Sequence, residues 1–189
     1  MKIFALDIST KTGWSYFIDG KLVSYGLVTM KKRPKDYGKY PENFVEFAQE
    51  MATRIKAKMN EVVAGDFWDD GMIVIEETTP GRATYPQKIL EFIHCLFIRP
   101  FVGKGYEIRY VRTGCWRKTV DLRMTKEDKA QNKLVKMKKA RGKVTPKHLS
   151  VRMVNERFGL KLKLKDNDIS DAILIGASAY MEVTYTEGT

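Results

Sequence analysis

Two short apolar runs, each closed by an acidic residue, constrain the fold of this chain most. Residues 3–6 precede Asp7, and residues 72–75 precede Glu76. Uninterrupted apolar runs of this length are typical of strands that are buried on both faces of a mostly parallel sheet. Ligands of such sheets bind at the carboxyl ends of the strands. If the two strands are neighbours, Asp7 and Glu76 therefore meet at one edge of the sheet.

Turn chemistry and periodicity predict the other elements. Residues 13–18 and 22–30 are rich in aromatic and β-branched side chains and flank Asp19-Gly20, a dipeptide that favours a type I′ hairpin turn. The remaining predicted elements are helices from near Pro41, over residues 87–101 and over residues 168–183, and a last strand over residues 107–112. This order predicts an α/β fold in which a five-stranded mixed sheet, a β-hairpin plus parallel strands, is flanked by helices. With 189 residues, 43% of them hydrophobic, the chain can bury one good core, so we expect a single domain over residues 1–189.

Basic residues are concentrated in one part of the chain. The formal net charge is +11, and residues 112–165 alone hold 18 Lys and Arg against 4 Asp and Glu, while the rest holds 16 against 19. Such a concentration is typical of a surface that contacts a phosphate backbone. A solvated helical face is the ordinary alternative, but residues 126–147 are nearly one-signed. We expect a basic helical insert at about 117–150, with two helices separated by Gly142, in which Lys136, Lys138, Lys139 and Arg141 contact nucleic acid.

Four acids could share one site. Asp168 and Asp171 are three residues apart at the start of the last predicted helix, so both lie on one face and could meet Asp7 and Glu76. Four carboxylates repel one another unless cations neutralise them, and oxygen ligands without His or Cys favour Mg²⁺ or Mn²⁺. Two such ions can hydrolyse a phosphodiester. Each acid alone has an alternative, since an Asp at a helix start often caps the helix and an acid after a strand can mark the edge of the core.

Several classes of protein are excluded. No apolar stretch approaches the roughly 20 residues that span a bilayer, and the amino terminus lacks the layout of a signal peptide, so we expect a cytoplasmic protein without a membrane partner. Cys95 and Cys115 form neither a disulfide framework nor a zinc site. We predict His94 to be a packed or interface residue, and nothing requires His148 in the site.

The acidic motifs resemble those of a known family. Residues 5–9 with Thr12-Gly13, residues 74–76, and residues 168–172 resemble the three acidic motifs of RuvC-type Holliday-junction resolvases, in the ribonuclease-H-like superfamily. The resemblance spans almost the whole chain. It implies a ribonuclease-H-like fold, DNA four-way junctions as substrate, a homodimer, and Asp7, Glu76, Asp168 and Asp171 as the metal-binding catalytic acids. It also implies that Lys118, with Arg117 beside it, and Lys147 contact DNA near the site.

Three departures from the family pattern refine this expectation. Ile8-Ser9 stands where the bacterial enzymes usually have Pro-Gly, as in divergent, phage-type members, so the chain would act in a bacterial host cytoplasm if it is phage-borne. Residues 78–81 replace the aromatic wedge that follows the Glu in those enzymes, and Tyr85 is the nearest aromatic residue. The longer basic stretch suggests tolerance of other branched DNA, such as forks and flaps.

Other functions stay open at this point. The metal chemistry would also serve another ribonuclease-H-like nuclease that cuts RNA–DNA hybrids or digests ends. Residues 7–13 also resemble a phosphate loop of sugar kinases and actin, but 189 residues do not hold the second domain that those proteins need. A non-catalytic nucleic-acid-binding protein would need only the basic residues 112–165, which we call the basic segment.

The helix predicted over residues 87–101 is apolar around most of its circumference. Its apolar residues are Ile89, Leu90, Phe92, Ile93, Leu96, Phe97 and Ile98. A sheet covers one face of a helix, so we expect this helix at or near the two-fold axis of a homodimer. The alternative is that another helix of the same chain, for example the one over residues 168–183, covers the far side.

Overall fold

The computed structural model describes residues 1–63, 65, 67, 71–78 and 84–187, without the side chains of Tyr85 and residues 185–187. The strands are β1 (Lys2–Asp7), β2 (Lys11–Ile18), β3 (Lys21–Thr29), β4 (Gly71–Glu76) and β5 (Glu107–Val111). The α-helices are α1 (Glu42–Val62), α2 (Tyr85–Ile98), α3 (Thr113–Thr119), α4 (Lys126–Lys136), α5 (Pro146–Phe158) and α6 (Asn167–Glu187). Short 3₁₀ helices occupy Pro34–Tyr37 and Leu164–Asp166.

The five strands form one mixed sheet in the order β3-β2-β1-β4-β5. The β1–β2 and β2–β3 pairs are antiparallel, and the β1–β4 and β4–β5 pairs are parallel. Asp19 (φ 48°) and Gly20 (φ 74°) make the hairpin turn with the positive φ angles that a type I′ turn requires. The predicted fold class is therefore confirmed. The central strands β1 and β4 are the two apolar runs, because only strands covered on both faces need side chains that are apolar at every position.

Helices cover both faces of the sheet. Phe4 and Leu6 of β1 join one core cluster with α1 and α2, and Ile3 and Ala5 join a second cluster on the other face with residues of α3, α5 and α6. This alternation follows from the two-residue period of a strand.

Helix α2 packs against α1. The suggestion that the helix over residues 168–183 covers α2 is therefore wrong, because α6 lies on the opposite face of the sheet. Helix α1 shields α2 because both connect strands on the same side of the sheet.

Polar contacts hold the basic segment together. The structure has the two predicted helices there, α4 and α5, with Gly142 (φ 84°) between them, and a further short helix, α3, directly after β5. Arg152 of α5 donates two hydrogen bonds of 3.0 and 2.5 Å to the carboxylate of Asp128 in α4. Asn132 exchanges two hydrogen bonds with the backbone of Val144, at 2.9 and 2.8 Å. These contacts fold the segment back on itself.

Within the described part of the chain, no helix is both long enough and apolar enough to cross a bilayer.

Candidate active site

The sheet register brings Asp7 and Glu76 together. Leu6 pairs with Ile75 in the parallel β1–β4 ladder, so the next residue of each strand stands at the same edge of the sheet. The carboxyl group of Asp7 lies within hydrogen-bonding reach of Glu76. The edge is the carboxyl end of the parallel strands, where β5 also ends and leads into α3.

The first turn of α6 brings Asp168 and Asp171 to the same edge. Gly13 is the Cα partner of Asp7 in the β1–β2 ladder, and a Cβ atom on Gly13 would lie only 1.8 Å from the backbone oxygen of Asp168. A side chain at this position would therefore push α6 away from the sheet. Asn167 supports the turn by donating a hydrogen bond of 2.6 Å from Nδ2 to Oδ1 of Asp168.

The four carboxylates interact electrostatically. Part of Asp7 stays exposed, yet its carboxyl group is packed so closely that burial is the largest cause of a pKa well above the usual value. The negative charges of Glu76, Asp171 and Asp168 raise the pKa of Asp7 further. Burial raises the pKa of Asp171 to about 6, and Glu76 and Asp168 contribute to the rise. The edge is therefore short of positive charge.

Two side chains of α3 fix Glu76. The hydroxyl of Thr113 and the indole Nε1–H of Trp116, the latter at 3.3 Å, both donate to Oε1 of Glu76. Trp116 has no exposed surface and anchors α3 in the second core cluster. Both donors use one oxygen of Glu76, and the carboxyl group of Asp7 lies beside the same side chain. Sequence reasoning missed both donors, although Trp116 is a large apolar residue within a basic stretch and could have indicated an anchor.

Arg117 and Ser150 flank Asp171. Hydrogen bonding from Ser150 and, to a smaller extent, the charge of Arg117 lower the pKa of Asp171 and so partly oppose the effect of burial. The Nε atom of Arg117 is buried and has no hydrogen-bond partner among the described residues. Lys147 is exposed on α5, three residues before Ser150. The structure therefore brings Arg117 and the helix that carries Lys147 to the carboxylates.

The other predicted DNA contacts lie on the surface. Lys118 is exposed and lines a cleft of about 430 Å³ together with Arg117 and Arg123. Lys136, Lys138, Lys139 and Arg141 are exposed at the end of α4 and in the turn that follows it. The side chains of these last four form no hydrogen bond or ion pair with Asp7, Glu76, Asp168 or Asp171, which we call the acidic cluster. The structure therefore shows no direct contact between them and that cluster.

The acidic cluster fits a hard divalent cation in its chemistry. Its donors are carboxylate oxygens only, and Oδ1 of Asp171 is buried without a hydrogen-bond partner in the described part of the chain. In that same part, no three His, Cys, Asp or Glu side chains are arranged as a ready-made metal site. Four carboxylates without a counterion repel, so an ion would have to draw them inward.

The two histidines have structural contacts. His94 is 7% exposed, and its Nδ1 lies 3.3 Å from the hydroxyl of Tyr110. His148 contacts the hydroxyl of Thr145 through Nδ1 at 2.7 Å, at the start of α5. The region after Glu76 where the wedge was sought, residues 79–83, lies outside the described residues, as does the side chain of Tyr85.

Comparison with solved structures identifies the fold. Thermus thermophilus RuvC in complex with a Holliday junction substrate superposes with a TM-score of 0.63 and 14% identity over 98% of this chain and 96% of that chain. The chain has the RuvC fold. A second structure of T. thermophilus RuvC gives a TM-score of 0.60 at 15% identity, covering 98% and 97% of the two chains. The yeast mitochondrial Holliday junction resolvase Ydc2 gives 0.50 at 13% identity, covering 98% of this chain and 80% of its own.

The RuvC fold confirms the predicted ribonuclease-H-like architecture. No protein-family model matches the sequence, and a search of curated proteins found no match. The short acidic motifs therefore indicated a fold that comparison of whole sequences does not detect.

Proposed function

We propose that this protein is a divalent-metal-dependent endonuclease that cuts Holliday junctions and related branched DNA. The observation that carries the proposal is the convergence of Asp7, Glu76, Asp168 and Asp171 at the carboxyl edge of a RuvC-fold sheet, next to α3 and α5 of the basic segment. An acidic edge alone would repel DNA. The adjoining cations, which begin with Arg117 and Lys118, would bring a phosphate backbone to it.

In this proposal the four acids hold two Mg²⁺ ions, for which Mn²⁺ could substitute. Bound there, the ions would supply a nucleophilic hydroxide and stabilise the negative charge that develops on the phosphate. Thr113 and Trp116 hold one oxygen of Glu76, and Asn167 holds one oxygen of Asp168, so that the remaining oxygens are oriented before any ion binds.

Arg117 has a separate role in this reaction. Its guanidinium group is close enough to lower the pKa of Asp171, and Arg117 lines the open cleft beside Lys118, where guanidinium N–H groups can donate to a phosphate oxygen. A planar guanidinium can bind two phosphate oxygens at once. We assign Arg117 to orienting the scissile phosphate and stabilising its charge, and Lys118 and Lys147 to contacting the flanking backbone.

A homodimer would place two such sites in the symmetry that a four-way junction needs. Leu90, Phe92 and Leu96 of α2 remain partly exposed although α1 covers another side of the helix. We propose that α2 lies at the dimer axis. Sedimentation should give twice the protomer mass of 21.8 kDa, and Phe92→Asp should restore the protomer mass while Val102→Asp, at an exposed residue beyond the helix, should not. A wild-type mass of one protomer with and without junction DNA would refute the dimer.

A panel of labelled substrates tests the nuclease proposal. The protein is incubated with a four-way junction, a fork, a flap, a linear duplex and an RNA–DNA hybrid, each with Mg²⁺ or with EDTA. We expect Mg²⁺-dependent cuts in the branched DNAs, with paired cuts in the junction. Cleavage of the hybrid alone would establish the alternative of a ribonuclease, and binding without cleavage would establish a non-catalytic nucleic-acid-binding protein.

A further inference from the structure

A second basic surface lies on the other side of the carboxylate edge, outside residues 112–165. The loop between β3 and α1, residues 30–41, is called here the β3–α1 loop. It holds five basic residues, Lys31, Lys32, Arg33, Lys35 and Lys39, against one acid, Asp36. Outside residues 112–165 the chain holds more acidic than basic residues, so this loop departs from its surroundings.

The topology puts the β3–α1 loop at the active-site edge. Lys11, at the start of β2, pairs with Thr29, at the end of β3, and Gly13 pairs with Asp7. The chain therefore leaves β3 at the edge where β1 ends. A cleft of about 420 Å³ confirms the proximity, because Ser9 and Thr10, just after Asp7, line it together with Pro34 of the loop.

The loop is anchored through residues other than Lys31, Lys35 and Lys39. Tyr37 donates a hydrogen bond of 2.6 Å to Glu50 of α1, and its ring packs edge-on against Phe47. Asp36 accepts a hydrogen bond of 2.7 Å from the backbone of Arg33. The five cations are all exposed, and Lys31, Lys35 and Lys39 form no ion pair with the described residues. An anchored loop that presents unpaired cations loses little conformational entropy when it binds a polyanion.

We propose, as an extension of the proposed nuclease function, that the β3–α1 loop is a second DNA-contact surface, which binds the phosphate backbone on the side of the carboxylates opposite to the basic segment. The basic segment follows β5, at one end of the strand order, whereas the loop follows β3, at the other end. The carboxylates of β1 and β4 lie between them. A DNA strand that crosses the edge would thus be held on both sides of the scissile phosphate.

The test compares two triple variants of equal charge. Lys31→Ala/Lys35→Ala/Lys39→Ala removes the unpaired cations of the loop and keeps its Tyr37 anchor. The control, Lys21→Ala/Arg99→Ala/Lys104→Ala, removes the same charge at the opposite edge of the sheet, where β3 begins and where α2 leads into β5. Thermal unfolding of both variants verifies that they are folded, and fluorescence anisotropy with a labelled four-way junction and a duplex measures affinity at several salt concentrations.

The slope of log K against log salt is negative, and each lost phosphate contact reduces its magnitude by about 0.9. For the loop variant, we expect the magnitude of the slope to fall by about 2 to 3 and the affinity for both DNAs at low salt to fall roughly tenfold. For the control variant, we expect a slope within about 0.5 of the wild-type value. An unchanged slope in the loop variant, or equal losses in both variants, would overturn the second surface.

The measurements distinguish an error in the second-surface proposal from an error in the nuclease proposal. If the wild type cuts the junction with Mg²⁺ while the loop variant keeps the wild-type slope, only the second surface is wrong. If the wild type neither binds nor cuts any DNA of the panel, both proposals are wrong.

Discussion

Two aspartates with little exposed surface show how the carboxylate edge differs from the basic segment. Asp171 at the edge is 8% exposed, and burial raises its pKa to about 6. Asp128 in the basic segment is 6% exposed, and hydrogen bonds from Arg152 lower its pKa to about 2. A neighbouring cation favours the charged form of a carboxylate, whereas burial and neighbouring acids disfavour it. The carboxylates of the edge therefore resemble a binding site for a cation, whereas Asp128 of the basic segment already has Arg152 as its partner.

The close approach of α6 to β2 should matter for cleavage, because it sets the position of Asp168 beside Asp7. We expect Gly13→Ala to lower the cleavage rate by about 10²-fold, because the new Cβ displaces the backbone of Asp168 and misplaces its carboxylate. Single-turnover cleavage of a four-way junction at saturating Mg²⁺ measures the effect.

Gly176→Ala is the matched control for this variant. It also inserts a Cβ between α6 and β2, but that Cβ meets the side chain of Phe17, at 2.6 Å, about two helical turns after Asp168. Equal losses of cleavage in the two variants would mean that general destabilisation, and not the position of Asp168, lowers the rate.

The outer cations of the basic segment should affect binding and not the chemical step. The combined change of Lys136, Lys138, Lys139 and Arg141 to Ala should lower the slope of log K against log salt by up to about 3.6 on duplex DNA, equally for duplex and junction. The cleavage rate with saturating protein should stay within about threefold of the wild type, since none of the four is joined to the acidic cluster. An unchanged salt slope would show that these residues only solvate the surface.

Opposite changes in stability should follow from neutralising the two aspartates. At neutral pH in EDTA, Asp171→Asn should raise the free energy of unfolding, on the order of 2 kcal/mol, because a raised pKa makes the charged form costly in the folded state. Asp128→Asn should lower it, because Arg152 loses its ion-pair partner and the capping box of α4 is weakened. Urea denaturation measures both, and a shift of the same sign in the two variants would contradict the comparison.

A smaller effect concerns His94, which packs near the backbone of Ile8. Burial lowers the pKa of His94 to about 4, so the unfolded chain takes up a proton near its ordinary pKa of about 6.5 while the folded chain does not. Stability from this residue is thus lost as the pH falls through that range, by about 1 kcal/mol between pH 6.5 and 5.5. Replacing His94 with Phe should remove this loss relative to the wild type. Tyr110→Phe, which keeps the imidazole, should retain it.

The features that could be predicted from the sequence are those set by residues close together in the chain. Apolar runs specify β1 and β4, the Asp19-Gly20 dipeptide specifies the hairpin, and strand ends specify where Asp7 and Glu76 lie. The residues that position Glu76 by hydrogen bonding could not be predicted in this way. Thr113 and Trp116 reach Glu76 across 37 and 40 residues, and no local pattern encodes such a distance. Helix α3 was missed because seven residues are too few to show a helical period.

Single-turnover cleavage of a labelled four-way junction by the wild type and by the Asp7→Asn, Glu76→Gln, Asp168→Asn and Asp171→Asn variants tests the account most directly. The wild type should cut with Mg²⁺ and not with EDTA. Each variant should lose about 10³-fold or more in rate, since a paired-metal site supplies several kcal/mol to the transition state, while anisotropy shows junction binding that is kept or tightened. Cleavage by the wild type in EDTA, or wild-type rates in the Asp7→Asn variant, would contradict a metal-dependent nuclease built on these four carboxylates.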